Sequence, residues 1–132
     1  MPDVGKFKVL VIDDEPDFVA LMKSRLEADQ FEVLTASNGV EGIALLEEER
    51  PDLIVLDVLM PFINGLNFVK IIKKYDDFKS IPIIVLTAKI GMEELFQKEG
   101  VHFYITKPFG AQDLIKKVRE VVPVNGSPSS IS

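Results

Sequence analysis

Short apolar runs alternate along the chain with stretches in which apolar residues recur at helical spacing. The runs cover residues 7–12, 32–36, 53–56, 83–86 and 102–105. The first, third and fourth runs consist almost entirely of Val, Ile and Leu, which is typical of strands in a parallel sheet covered by helices on both faces. The alternation therefore predicts an α/β fold with five strands and five helices.

Four of the intervening stretches carry an apolar stripe at intervals of three or four residues, which gives a helix one buried face. The stripes are Phe18, Met22 and Leu26; Val40, Ile43 and Ala44; Leu66, Val69 and Ile72; and Leu114, Val118 and Val121. The remaining stretch, residues 92–99, offers only Leu95 and Phe96 as apolar anchors. We therefore expect the fourth helix to be short.

Polar residues follow the apolar runs at the points where the strands are predicted to end. Asp13 and Asp14 follow the first run, Asp57 the third and Thr87 the fourth, and the fifth leads into Lys107. The carboxyl ends of parallel strands meet at one edge of a sheet, which is where open α/β sheets bind ligands. The sequence thus predicts three carboxylates, a hydroxyl and an ammonium group along one rim.

This combination of groups suits phosphoryl transfer assisted by a metal ion. Clustered carboxylates repel one another unless a cation lies between them, and carboxylate oxygens without His or Cys favour Mg²⁺. Lys107 and Thr87 can meet phosphoryl oxygens, and Asp57 can act as the nucleophile that forms an aspartyl-phosphate. Each residue alone also has an ordinary explanation, since Asp13 and Asp14 could simply cap a turn or a helix. Their joint occurrence at four strand ends favours the chemical interpretation.

Composition narrows the functional classes. A chain of 132 residues with 47% hydrophobic residues can form one domain with a core. The net charge of −6 disfavours direct binding of nucleic acid, and there is no cysteine for a disulfide or thiolate site. There is neither a long apolar run nor a secretion signal, so we expect a cytoplasmic protein without membrane contact. We expect residues 1–122 to form the domain, and residues 123–132, rich in Pro, Gly, Ser and Asn, to be a disordered tail or linker.

Several segments together resemble the receiver domain of bacterial response regulators, the phosphoacceptor component of two-component signal transduction. The segments are residues 9–16, 51–57, 60–61, 86–88 and 104–109, and the resemblance runs from about residue 8 to residue 122. It implies a flavodoxin-like (βα)5 sandwich of three layers. Its parallel sheet would have the strand order 2-1-3-4-5, with helices on both faces.

The resemblance also implies roles for the residues at the rim. Asp57 would accept a phosphoryl group from the phosphohistidine of a sensor histidine kinase or a phosphotransfer protein. Asp14 would bind Mg²⁺ directly and Asp13 mainly through water, with the backbone carbonyl of Leu59 as a further ligand. The domain would not be an enzyme in the usual sense, because it would only catalyse its own phosphorylation and slow autodephosphorylation.

Other residues would connect phosphorylation to a change of conformation. Thr87 would hydrogen-bond the phosphoryl group, Lys107 would pair with its oxygens, and the bond between Lys107 and Pro108 would be cis. Tyr104 would be the switch aromatic that turns inward when Thr87 moves, although a half-buried edge-strand tyrosine is the ordinary alternative. Phosphorylation would then favour one of two conformations and so control a downstream output domain or protein.

Departures from the family pattern leave some questions open. Between Thr87 and Lys107 the chain is about two residues shorter than usual, which puts the usual output geometry in doubt. His102 is interpreted as an exposed or edge-strand residue, and Phe103 as a potential exposed anchor for a partner. The cognate kinase, the output, a phosphorylation-dependent homodimer and membership of a longer protein all stay open.

Two other functions compete with the receiver interpretation. A Mg²⁺-dependent phosphohydrolase with an Asp nucleophile would carry a second carboxylate two residues later, where Leu59 stands. A flavodoxin-like cofactor module would need a phosphate loop rich in Gly, Ser or Thr after the first strand. Asp13, Asp14 and Glu15 at that place would instead repel a phosphate unless a metal ion intervened.

Overall fold

The computed structural model describes residues 7–58, 63–87 and 92–121. Strands and helices alternate as predicted: β1 Lys8–Ile12, α1 Pro16–Ala28, β2 Glu32–Ala36, α2 Gly39–Glu49, β3 Leu53–Asp57, α3 Gly65–Ile72, β4 Ile83–Thr87, α4 Glu93–Gln97, β5 Phe103–Thr106 and α5 Ala111–Val121. Asp57 and Thr87 are thus the last residues of their strands. Residues 59–62, including Leu59, and the predicted tail lie outside the described residues.

The five strands form one parallel sheet in the order β2-β1-β3-β4-β5, as the family resemblance implied. The chain leaves β1 in one direction to form β2 and returns past it to form β3, so the strand order switches between β1 and β3. In the register of these two strands Ile12 pairs with Leu56. The residues that follow, Asp13 and Asp57, are therefore level with each other at the carboxyl edge.

Alternate residues of the strands face opposite sides of the sheet and build two apolar layers. Leu10, Ile12 and Phe68 belong to the layer under α2, α3 and α4. Met22 and Leu114 belong to the layer under α1 and α5. This arrangement confirms the sandwich of three layers with helices on both faces of the sheet.

The second helix buries only part of the predicted stripe, since Ile43 packs partly buried against the core but its two companions do not. Val40 is 57% exposed and Ala44 is exposed, whereas the buried positions include Gly42 and Leu46. A β-carbon built on Gly42 would lie 2.6 Å from Cδ1 of Ile12, so α2 packs against β1 through its backbone. Hydrophobic periodicity counts apolar side chains, and it therefore overlooks the glycines on a buried face.

The fourth helix is short, as predicted, with five residues. Its Phe96 is fully buried, while Leu95 is 42% exposed, so a single side chain anchors it in the core. His102 is exposed immediately before β5, in line with its interpretation as a surface residue. Phe103 is partly buried against the α1 and α5 layer, so its prediction as an exposed anchor is wrong. No helix among the described residues has the length and hydrophobicity needed to cross a membrane.

Candidate functional site

Three carboxylates meet at the carboxyl edge of the sheet. Asp13 and Asp14 follow β1, and Asp57 ends β3. Each contributes a carboxylate oxygen, and these oxygens lie within 4.8 Å of one another. Asp13 is 1% exposed and Asp57 is 7% exposed, whereas Asp14 is open to solvent. The structure therefore brings together the carboxylates that the sequence predicted to share one rim.

Asp13 is poorly compensated for a buried carboxylate. Its Oδ1 accepts a hydrogen bond of 3.0 Å from the backbone N–H of Glu15, but its Oδ2 has no hydrogen-bond donor among the described residues. Burial raises the pKa of Asp13 to about 6, and the neighbouring Asp57 carboxylate adds to this effect, while the Glu15 hydrogen bond opposes it. Because a buried carboxylate oxygen that accepts no hydrogen bond is costly, this oxygen fits a bound cation.

Lys107 brings a positive charge to the same place from the end of β5. Its Nζ lies 3.4 Å from Oδ1 of Asp57 and 3.8 Å from Oδ2 of Asp13, and its side chain is 25% exposed. The backbone N–H of Lys107 donates to the carbonyl of Thr87 at 2.8 Å, which fixes this residue against the end of β4. The peptide bond between Lys107 and Pro108 is cis, as expected.

Thr87 lies one strand away from Asp57 on the same rim. The register pairs Asp57 with Leu86, so Thr87 is one residue nearer the edge, and its side chain is 2% exposed. Thr87 also pairs in register with Thr106, the residue before Lys107. The hydroxyl that the sequence predicted at the site is therefore on the strand between the nucleophile candidate and the lysine.

Tyr104 is partly buried and packs against the α2, α3 and α4 layer. Its hydroxyl is shared between the backbone carbonyls of Glu93, at 3.0 Å, and Val101. Burial raises the pKa of Tyr104, and the charge of Glu93 adds to this effect. The tyrosine thus ties β5 to the first residue of α4, and its role as a switch stays a prediction.

The oxygen atoms at this site can be compared with the ligands that the predicted ion, Mg²⁺, prefers. The three carboxylates offer only hard oxygen ligands, and the buried Oδ2 of Asp13, which accepts no hydrogen bond from the described residues, would gain a partner in a divalent ion. In the part of the chain that the structure describes, this is the one cluster of three or more acidic or histidine side chains that could hold a metal ion. The residues present therefore fit Mg²⁺.

An aromatic pair adjoins Lys107, and no sequence pattern predicted this contact. The Phe18 ring centroid lies 5.5 Å from Nζ of Lys107, and the Phe109 ring packs edge-to-face on Phe18 with centroids 5.7 Å apart. Together with Glu15, Lys107 and Pro108 they line a cavity of about 430 Å³. Periodicity assigned Phe18 only to the core face of α1, because no local signal connects it with a residue so distant in sequence.

Comparisons with known proteins agree with this geometry. A family model described as response regulator receiver domain matches residues 9–119. PhoP of Bacillus subtilis, an alkaline phosphatase synthesis transcriptional regulatory protein, is 38% identical over 120 residues, which are 87% of this chain and 48% of that protein. Protein PilH of Pseudomonas aeruginosa is 31% identical over 117 residues, which are 87% of this chain and 97% of that protein. The chain thus spans about half the length of PhoP and nearly all of PilH.

Solved structures similar to this chain also come from response regulators. The chemotaxis response regulator CheY4 of Vibrio cholerae has a TM-score of 0.84 and 31% identity, covering 89% of this chain and 99% of that one. The receiver domain of the Francisella response regulator 1452 has a TM-score of 0.81 and 30% identity, covering 88% of this chain and 96% of that one. The similarity therefore extends over the whole fold.

Proposed function

Because the chain belongs to the response regulator receiver domain family of two-component signal transduction, we propose that Asp57 is its phosphoacceptor. One observation carries this assignment. Oδ1 of Asp57 lies 3.4 Å from Nζ of Lys107, in a cluster that also holds Asp13 and Asp14. A nucleophilic carboxylate, a cation site and an ammonium group thus lie together, and phosphoryl transfer requires little more.

Each residue at the site has a separate role in phosphoryl transfer. A carboxylate oxygen of Asp57 forms a bond to phosphorus, while the bond from phosphorus to the donor, the imidazole nitrogen of a phosphohistidine or the oxygen of an acyl phosphate, breaks. Lys107 offsets the negative charge of the phosphoryl oxygens, and the Thr87 hydroxyl donates a hydrogen bond to one of them. The product is an aspartyl-phosphate, which we expect to hydrolyse slowly.

The cation site completes this arrangement. Asp13, Asp14 and Asp57 would hold Mg²⁺, with the backbone carbonyl of Leu59 as the ligand that the family resemblance adds. Support comes from the buried Oδ2 of Asp13, which accepts no hydrogen bond from the described residues and has only Lys107 as a cationic neighbour there, at 3.8 Å. When bound, Mg²⁺ would neutralise the clustered carboxylates and attract the phosphoryl oxygens.

We further propose the signalling role that this chemistry serves. The phosphoryl donor would be a sensor histidine kinase or a phosphotransfer protein, and movement of Thr87 and Tyr104 would pass the signal to an output domain or protein in the cytoplasm. Residues 1–122 would act as the receiver unit, and residues 123–132 as a tail or linker. The comparisons do not favour the phosphohydrolase, because the relatives found are response regulators.

The assignment is tested by labelling with acetyl phosphate in the presence of Mg²⁺. The unmodified protein should gain an acyl-phosphate, and Asp57→Asn should gain none, since the nucleophile is absent. Asp76→Asn serves as the control, because the side chain of Asp76 is 91% exposed and forms an ion pair with Lys79 at 2.9 Å. Labelling of the Asp57→Asn protein at the level of the control would refute the proposal.

A further inference from the structure

The ammonium group of Lys107 has an aromatic neighbour besides its two carboxylates. Its Nζ lies 5.5 Å from the centroid of the Phe18 ring, within the distance at which a cation is attracted to the negative face of a ring. We propose that Phe18 is a positioning residue, which keeps the Lys107 ammonium beside Asp57. The proposal rests on the function assigned to Asp57 above.

Two connections hold the Phe18 ring in place. Helix α1 begins at Pro16, so Phe18 lies in its first turn, directly after the loop that carries the Asp13 carboxylate. From the other side, the Phe109 ring meets it at an interplanar angle of 83°, the edge-to-face arrangement that aromatic pairs favour. Because Phe109 follows Lys107 by two residues, the chain segment that supplies the ammonium also fixes the ring that attracts it.

The surroundings of Lys107 explain why such a restraint is needed. Its side chain is 25% exposed and borders the cavity of about 430 Å³, which leaves room for it to swing away from Asp57. Glu15 lines the same cavity, and its carboxylate offers the Lys107 ammonium a competing partner. A lysine stem carries several rotatable bonds, so an ammonium without a restraint would spend time in that space.

A ring differs from a carboxylate as a partner for the ammonium. The carboxylates of Asp13 and Asp57 also attract divalent cations and protons, and their pull on Lys107 weakens when either is bound. The Phe18 ring carries no formal charge and no ligand atom for Mg²⁺, so its attraction to Lys107 persists in every state of the carboxylates. It therefore keeps the ammonium near Asp57 when the cation site is filled.

The ordinary alternative is that Phe18 only fills the core layer under α1. Shape and electrostatics can be separated by substitution. Phe18→Leu keeps an apolar side chain but removes the ring, Phe18→Tyr restores it, and fluorinated phenylalanines at position 18 keep the shape while weakening the negative face. Phe103→Leu is the matched control, because Phe103 packs in the same layer but begins β5, about 13 Å of strand away from Lys107.

Two measurements on these variants test the proposal. In metal-free, unphosphorylated protein, the NMR signals of the Lys107 ε-methylene should be displaced by the ring and return to ordinary values in Phe18→Leu. The rate of phosphorylation by acetyl phosphate with saturating Mg²⁺ should fall about two- to fivefold in Phe18→Leu. It should fall stepwise with fluorination and recover in Phe18→Tyr, while Phe103→Leu changes neither measurement.

The outcomes also separate this proposal from the one on which it rests. Unchanged Lys107 signals in Phe18→Leu would overturn it, and so would slower phosphorylation that fluorination does not reproduce. If the unmodified protein takes up no phosphoryl group, the assignment of Asp57 fails. The NMR series, which needs no phosphorylation, would then decide alone whether the Phe18 ring positions the lysine.

Discussion

Neutralising Asp13 should stabilise the metal-free protein at neutral pH. The side chain of Asp13 is fully buried, one of its oxygens lacks a hydrogen-bond donor in the described residues, and burial raises its pKa from 3.8 to about 6. Such a carboxylate stays charged at pH 7 at a cost to folding. Asp13→Asn removes the charge, while its side-chain oxygen can still accept the hydrogen bond from the backbone N–H of Glu15. It also removes the 3.8 Å ion pair with Lys107, whose opposing effect the pKa of about 6 already includes.

The magnitude and the sign follow from the pKa shift. The folded protein binds this proton more tightly than the unfolded chain, so the favourable contribution is complete below pH 3.8 and is lost as the pH rises to about 6. The interval from 3.8 to about 6 is about 2.2 units, equivalent to about 3 kcal/mol at most. Solvent reaches the rim at Asp14 and screens part of the charge, so we expect a gain of about 1–2 kcal/mol.

Urea unfolding in the presence of a chelator, from about pH 4 to about pH 8, measures this gain. The two stability curves should meet near the acid end, and Asp13→Asn should be the more stable protein above about pH 6. Subtracting one free energy of unfolding from the other cancels the contributions of the carboxylates that both proteins share. Asp14→Asn is the control, since Asp14 is already exposed. Equal or lower stability of Asp13→Asn at neutral pH would refute the electrostatic reasoning.

Two further predictions concern the cation site and the packing beneath it. Mg²⁺ at ten times its Kd should stabilise the protein by about 1.4 kcal/mol in thermal unfolding, because it binds only the folded cluster. Equal stabilisation of the Asp14→Ala protein would count against the proposed metal site. Gly42→Ala should lower the free energy of unfolding by about 1 kcal/mol, since crowding against Ile12, typically about 1–3 kcal/mol, outweighs a gain in helix propensity of about 1 kcal/mol. The control Gly110→Ala meets only an ordinary contact of 3.8 Å. Denaturant unfolding in which Gly42→Ala matches the parent protein would show that Ile12 repacks freely.

Much of the fold is readable from the sequence, because the apolar runs end where the strands end. Asp13, Asp57 and Thr87 interrupt these runs at the carboxyl edge, and a parallel sheet necessarily gathers that edge on one side. The order of the strands, in contrast, cannot be read from the apolar runs. Hydrophobic patterning specifies which segments are strands but not which strands are neighbours, so the order 2-1-3-4-5 came from the family resemblance.

The features that escaped prediction depend on contacts between distant segments. The glycine at position 42 on the buried face of α2 has no side chain for a hydrophobic pattern to register, and Gly42 is explained only by the approach of Ile12. The contact between Phe18 and Lys107 joins α1 to the segment after β5, 89 positions apart in the chain. The missing donor at Oδ2 of Asp13 is likewise a property of the assembled rim, which the sequence alone does not reveal.

The central claim is that Asp57 takes a phosphoryl group at a site that depends on a divalent cation. Borohydride reduction after reaction with acetyl phosphate, followed by peptide mass spectrometry, marks the carboxylate that carried the acyl-phosphate. We expect the reduced residue at position 57 alone, in samples with Mg²⁺ and not in samples with a chelator. A mark on another carboxylate, or equal marking of Asp57 with the chelator present, would contradict the account.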